Sequence, residues 1–280
     1  MAIIDAQVHS YERNHPGRPW AEPVVGPPSV TGDEMVAAMD AVGVDGAILV
    51  STFMTYRYDP SYALEVLRRH PDRFAAVRPV DLADPAVLSL VEEWAAIPGT
   101  VGVRVFLGMG SRDPADPVLN QVMSAAARLG QVVNLVPSDL HELAAAVVAR
   151  HPDTVVVLDH LGLRAPMEER RRDPWGLLPK VLDLATLPNV RIKLTGACTL
   201  SEQPYPFDDI WGPIMRIIDA YGVERCMWGT DWTRAVHFLS YQEGVDAFRD
   251  NARFSDAEKA ILMGGAAQAI YGWAPGGSGA

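Results

Sequence analysis

The chain has 280 residues, 35 of them acidic and 24 basic, for a formal net charge of −11, and 49% of it is apolar. This composition excludes general disorder, and the acidic balance speaks against nucleic acid or an anionic membrane surface, because phosphate binding draws on a basic face that releases counterions. No apolar run approaches the roughly 18 residues that a membrane span needs. The opening Met-Ala-Ile-Ile-Asp-Ala-Gln-Val-His lacks both a basic segment before an apolar core and a cleavage pattern, so a cytoplasmic location is expected. Cys198 and Cys226 have no CxxC spacing and are expected to be free thiols.

Eight short, β-branched apolar runs follow one another: Ala2–Val8, Gly46–Ser51, Phe74–Val80, Val101–Leu107, Gln131–Val136, Thr154–Leu158, Val190–Leu194 and Arg225–Gly229. Segments of helical spacing separate them. The first carries Met35, Val36, Met39 and Val42 behind a Thr31/Glu34 capping-box pattern. Others span Tyr62–His70, Pro85–Ile97, Pro117–Leu129, Leu140–Arg150, Leu177–Leu187, Ile210–Tyr221 and Tyr241–Phe248, and a last helix starts near Ser255. Strands that alternate with helices need crossovers and therefore pair in parallel. Eight such units predict an α/β fold closed as a (β/α)8 TIM barrel; an open doubly wound sheet is disfavoured because no GxGxxG follows the first strand. No internal linker is visible, so residues 1–273 read as one domain and 274–280 as a flexible tail. The stretches Ser10–Pro28, Arg164–Trp175 and Cys198–Phe207 exceed ordinary connections and are expected to wall a pocket.

In such a barrel the chemistry collects at the C-terminal ends of the strands, where eight segments converge. The residues there are Gln7 and His9 on the first strand, Arg104 on the fourth, Asn134 on the fifth, Asp159 and His160 on the sixth, Lys193 on the seventh and Asp231 on the eighth. Gln7 and His9 share a face by alternation. His9 by itself reads equally well as a cap on the core, but His160 and Asp231 at equivalent heights favour a functional set. His160, after Val-Val-Val-Leu-Asp, suits an acid, base or electrophile. Asp231, among aromatic neighbours, suits a base. Asp159 reads as structural. Arg104 and Lys193 are cations inside apolar strands, which is costly without partners. They read either as ion pairs with Asp231 or Asp81, or as an anion clamp that Arg57, Arg78 and Arg164 extend. Trp232 and other loop aromatics offer a pocket lining or a loop anchor. Neither a GxSxG nucleophile elbow nor a P-loop is present.

Ile-Ile-Asp-Ala-Gln-Val-His at the start, Leu-Asp-His-Leu-Gly at 158–162, Met-Trp-Gly-Thr-Asp-Trp at 227–232 and the closing Met-Gly-Gly-Ala-Ala-Gln-Ala-Ile-Tyr-Gly-Trp resemble the amidohydrolase superfamily, in its amidohydrolase-related (family 2) branch. The resemblance spans the chain and is strongest to the group of 2-pyrone-4,6-dicarboxylate lactonase and sugar lactonases; related decarboxylases are more remote. It implies a (β/α)8 barrel in which His9, His160 and Asp231 hold a zinc-like ion in metal-dependent members. Here Gln7 stands in place of the first His of the HxH motif, and Asn134 where many relatives have His. Amide oxygens are weak donors to zinc. The expectation is therefore a lactonase-like hydrolase without a cofactor. Asp231 activates water, His160 and His9 stabilise the oxyanion, and Gln7, Arg104, Lys193, Asn134, Arg57 and Trp232 bind a small substrate bearing a carboxylate. The alternatives are a decarboxylase using one Zn or Mn ion on His9, His160 and Asp231, and a non-catalytic barrel that only binds its ligand. The resemblance is also consistent with a homodimer.

Overall fold

The computed structural model describes residues 2–163 and 173–277. Eight parallel strands pair in the order β1 to β8: Ile4–Val8, Gly46–Val50, Phe74–Pro79, Thr100–Phe106, Val132–Val136, Val156–Leu158, Val190–Lys193 and Cys226–Met227. Each is followed by its helix: α1 Gly32–Val42, α2 Ser61–Arg69, α3 Val87–Ala95, α4 Pro117–Arg128, α5 His141–Arg150, α6 Leu178–Leu184, α7 Trp211–Tyr221 and α8 Tyr241–Arg249. The ring closes between β1 and the end of β8, where Ala6 N–H donates to Trp228 O at 3.1 Å and Asp231 N–H donates to Gln7 O at 3.1 Å. The expected (β/α)8 barrel is the observed fold. Its helices stop within a few residues of the sequence reading, and the Thr31/Glu34 capping box forms as expected.

Alternation along the strands divides the apolar residues into two cores. Ala47, Leu49, Val133, Leu135, Leu158 and Ile192 face the helices. Ile48, Val50, Val77, Val132, Val157 and Met227 form an inner core. After α8 the chain continues through α9 Asp256–Ala260, a π-helical turn Ile261–Gly265 and α10 Ala266–Tyr271, whose Ala266, Ala267 and Tyr271 join that inner core. Gly264 is a close contact: a Cβ there would come within 2.0 Å of Ala2 O.

Beyond α10, Gly276 N–H donates to Asp72 O at 2.9 Å; residues 278–280 lie outside the described residues. The expected wall Arg164–Trp175 lies outside them as far as residue 172. Both cysteines are free and buried. Among the described residues no helix is long and apolar enough to cross a membrane.

Candidate active site

Three predicted residues from three strand ends meet. His9 Nε2 lies 3.2 Å from Asp231 Oδ1, and His160 Nδ1 lies 3.7 Å from Asp231 Oδ2. All three side chains are nearly excluded from solvent. His160 and Asp231 follow their strands with φ of 50° each, a left-handed turn that non-glycine residues adopt at a cost of roughly 1–3 kcal/mol and that recurs at functional sites.

The partners fix the protons. His9 Nδ1 is 2.6 Å from Val50 O, and a carbonyl only accepts, so this nitrogen carries hydrogen. Its Nε2 faces Asp231 Oδ1, and a proton shared across that contact joins the ring to the carboxylate. Burial pushes the Asp231 carboxyl up, but the charge and hydrogen bond of His9, with His160 and Arg234 behind them, outweigh it and hold the carboxyl below its usual range.

His160 has the opposite arrangement. Its Nε2 faces Arg104 Nη2 at 3.0 Å and Gln7 Nε2 at 3.2 Å, both of them donors, so this nitrogen is bare and Nδ1 carries the hydrogen. Burial is the main cause that brings the imidazole down to about 4, and the Arg104 charge adds to it against the pull of Asp231. The ring is neutral at pH 7.

Beneath this pair lies a buried ionic cluster. Asp159 receives Arg104 Nε at 2.7 Å and Lys193 Nζ at 3.0 Å. Burial raises the Asp159 carboxyl, yet Lys193, Arg104 and His160 together bring it down to about 2. Lys193 also donates to Gln7 Oε1 at 3.2 Å, which fixes the amide with its nitrogen toward His160. The two strand cations are thus paired, as one of the two sequence readings had it, but with Asp159 rather than Asp231 or Asp81. Lys193 has no exposed surface.

The other predicted residues fall at different distances from this centre. Asn134 is buried on β5, its Oδ1 accepting from Tyr271 Oη at 2.9 Å. Arg57 lies in the β2–α2 segment, paired with Glu22 and stacked 4.9 Å over the Phe53 ring. Trp232 stacks on Tyr241 with centroids 5.2 Å apart. Arg78 lies over Trp94 of α3, on the helix side of the barrel, and Arg164 is outside the described residues. Sequence reasoning missed three buried residues. Thr195 Oγ1 sits 3.4 Å from His160 Nδ1, Tyr271 reaches Asn134 from the end of the chain, and Asp5 binds the turn after β8. Of these only Asp5 left a signal, a carboxylate inside an apolar strand.

The donor set fits a divalent ion poorly. Gln7 is tied to Lys193, and His160 Nε2 faces a guanidinium, so an ion on that nitrogen would lie against a fixed cation. Among the described residues no three His, Cys, Asp or Glu side chains are grouped to hold a metal.

The amidohydrolase family matches residues 4–273. A 4-sulfomuconolactone hydrolase of Hydrogenophaga intermedia is 28% identical over 218 residues, 76% of this chain and 68% of that protein. An L-fucono-1,5-lactonase of Burkholderia ambifaria is 30% identical over 207 residues, 71% of this chain and 69% of that protein. The crystal structure of an amidohydrolase from Burkholderia multivorans with bound HEPES superposes with a TM-score of 0.81 at 25% identity, covering 97% of this chain and 99% of the other.

Proposed function

This chain belongs to the amidohydrolase family and is a hydrolase, and from that premise we propose that it opens a small lactone with Asp231 as the base. Water attacks the lactone carbonyl and gives up a proton to Asp231 Oδ2, the oxygen that His9 leaves free. Negative charge develops on the carbonyl oxygen, and the His160 Nδ1–H is a donor that stays protonated through the step. Collapse of the tetrahedral species breaks the ring C–O bond, and the proton held by Asp231 passes to the leaving oxygen, giving the hydroxy acid. A positioned base of this kind contributes about 10²–10⁴ in rate.

The single observation that carries this reading is the contrast around Asp231: a buried carboxylate, held ionised by His9, with its second oxygen beside a neutral imidazole. Burial keeps that imidazole neutral, Arg104 adds to this by facing Nε2, and Lys193 keeps Gln7 turned the same way. Arg57, with 37% of its side chain exposed beside Glu22, is a cation with solvent access and is our choice of subsite for a substrate carboxylate. No step needs a metal, and the poor fit of the donor set weighs against a decarboxylase built on one ion.

The test is hydrolysis of L-fucono-1,5-lactone and of a carboxylated muconolactone, followed by pH-stat titration. Turnover of either, abolished in Asp231→Asn with the fold intact, supports the reading. Tight binding of a lactone without product would support the non-catalytic alternative instead.

A further inference from the structure

Asp5 is a fully buried carboxylate with no cation beside it among the described residues and no part in the proton transfers above. It is saturated with donors. Its Oδ1 accepts from Gln7 N–H at 3.0 Å and Thr230 N–H at 3.0 Å, and its Oδ2 accepts from Thr230 Oγ1 at 2.5 Å and Tyr241 Oη at 3.1 Å. These four bonds join β1, the turn after β8 and α8, where the barrel closes with few backbone bonds. The approach is close: a Cβ on Gly229 would stand 3.0 Å from Asp5 Oδ1 and 2.4 Å from Thr195 Cγ2.

Asp231 lies at the centre of that turn, and each neighbour is tied down. Thr230 is held by Asp5 through both its N–H and its hydroxyl. The same hydroxyl accepts Trp232 N–H at 3.0 Å, and Trp232 stacks on Tyr241, which itself donates to Asp5. Asp231 N–H donates to the carbonyl of Gln7, whose own N–H donates to Asp5 on β1. A left-handed residue between two anchored neighbours has little freedom to turn its side chain elsewhere.

We propose that Asp5 is a positioning residue: its carboxylate fastens β1 to the turn after β8 and thereby sets Asp231 against His9. The proposal rests on the reading of Asp231 as the base. It differs from a general sealing role, because a sealing role changes stability without changing the geometry of one carboxylate. Asparagine can reproduce the clamp, its oxygen accepting the two backbone N–H groups and its amide donating to the oxygens of Thr230 and Tyr241. Alanine cannot.

The experiment compares the full chain with Asp5→Asn, Asp5→Ala and Thr230→Val, using L-fucono-1,5-lactone turnover below each melting temperature and the ¹⁵N signal of His9 Nε2. Asp5→Ala should lower kcat about 100-fold with KM little changed, the loss expected of a misplacement of about 1 Å. Thr230→Val, a shape-matched change that removes the hydroxyl donating to Asp5 and accepting from Trp232 N–H, should lower kcat about tenfold for a clamp weakened by about 1.4 kcal/mol. Asp5→Asn should restore both kcat and the His9 signal. Melting temperatures that fall while kcat and the His9 signal stay at their wild-type values in Thr230→Val or Asp5→Ala would overturn the proposal. If the wild-type protein hydrolyses no lactone, the lactonase reading fails and the His9 signal decides the positioning role: unchanged in both variants it is refuted, displaced in either it stands.

Discussion

Asp159 and Asp231 are both buried carboxylates at strand ends of the same barrel, and their surroundings give them opposite capacities. Asp159 is enclosed by a guanidinium and an ammonium, and neither oxygen is left for new chemistry. Asp231 has one oxygen toward the His9 ring and the other 3.7 Å from His160, a ring that burial keeps neutral. A permanently charged partner holds a carboxylate as a counter-ion; a partner that can itself gain or lose a proton leaves it able to act as a base. The partners, more than burial, separate structure from chemistry.

Breaking the comparison at its reactive end should have the largest effect. Asp231→Asn keeps shape and hydrogen-bonding capacity but removes the base, and kcat for a turned-over lactone should fall about 10³-fold or more, equivalent to about 4 kcal/mol. Steady-state kinetics with matched circular dichroism spectra check it; activity within tenfold of wild type would place the base elsewhere. At the other end, Asp159→Asn should strand two buried cations and cost about 3 kcal/mol or more in stability, read by guanidinium denaturation.

The pH dependence sharpens the contrast with Asp5, whose carboxyl burial lifts to about 6 against its four hydrogen bonds. A raised carboxyl is a stability term present below its unfolded value and lost as pH rises through the folded one, so Asp5 costs stability between about pH 4 and 6. Asp159, brought down to about 2, has the opposite sign: its contribution is present above about pH 4 and lost as pH falls toward 2. Relative to wild type, Asp5→Asn should therefore gain about 2 kcal/mol between pH 4 and pH 7. Denaturation curves at both pH values test this, and an unchanged difference would show that folding does not raise the Asp5 carboxyl. The smallest effect is expected from chelation: prolonged dialysis against EDTA should leave lactone turnover within about twofold, since the proposed transfers use only groups of the chain itself. Activity lost on dialysis and restored by Zn or Mn would contradict the donor-set argument.

Much of the site was legible in the sequence because a parallel barrel obliges strand ends to converge. His9, His160, Asp231 and Arg104 could be grouped from their positions after eight apolar runs, without knowing any distance. The pairing within the group was not legible. Asp159, next to His160 in the chain, reads as structural, and nothing in its local pattern says that cations from β4 and β7 reach it rather than Asp231 or Asp81. Tyr271 is invisible for a stronger reason: it reaches Asn134 across 137 positions of chain, from a helix outside the strand–helix repeat.

The sequence by itself determined the barrel, the number of its strands and the residues that line its reactive end, because side-chain alternation and crossover geometry are local rules that repeat along the chain. Only the tertiary structure decided which carboxylate is neutralised, which imidazole carries which proton, and that Asp5 ties the first strand to the turn bearing Asp231. Those outcomes depend on contacts of about 3 Å between groups from different strands, and burial multiplies the weight of each one.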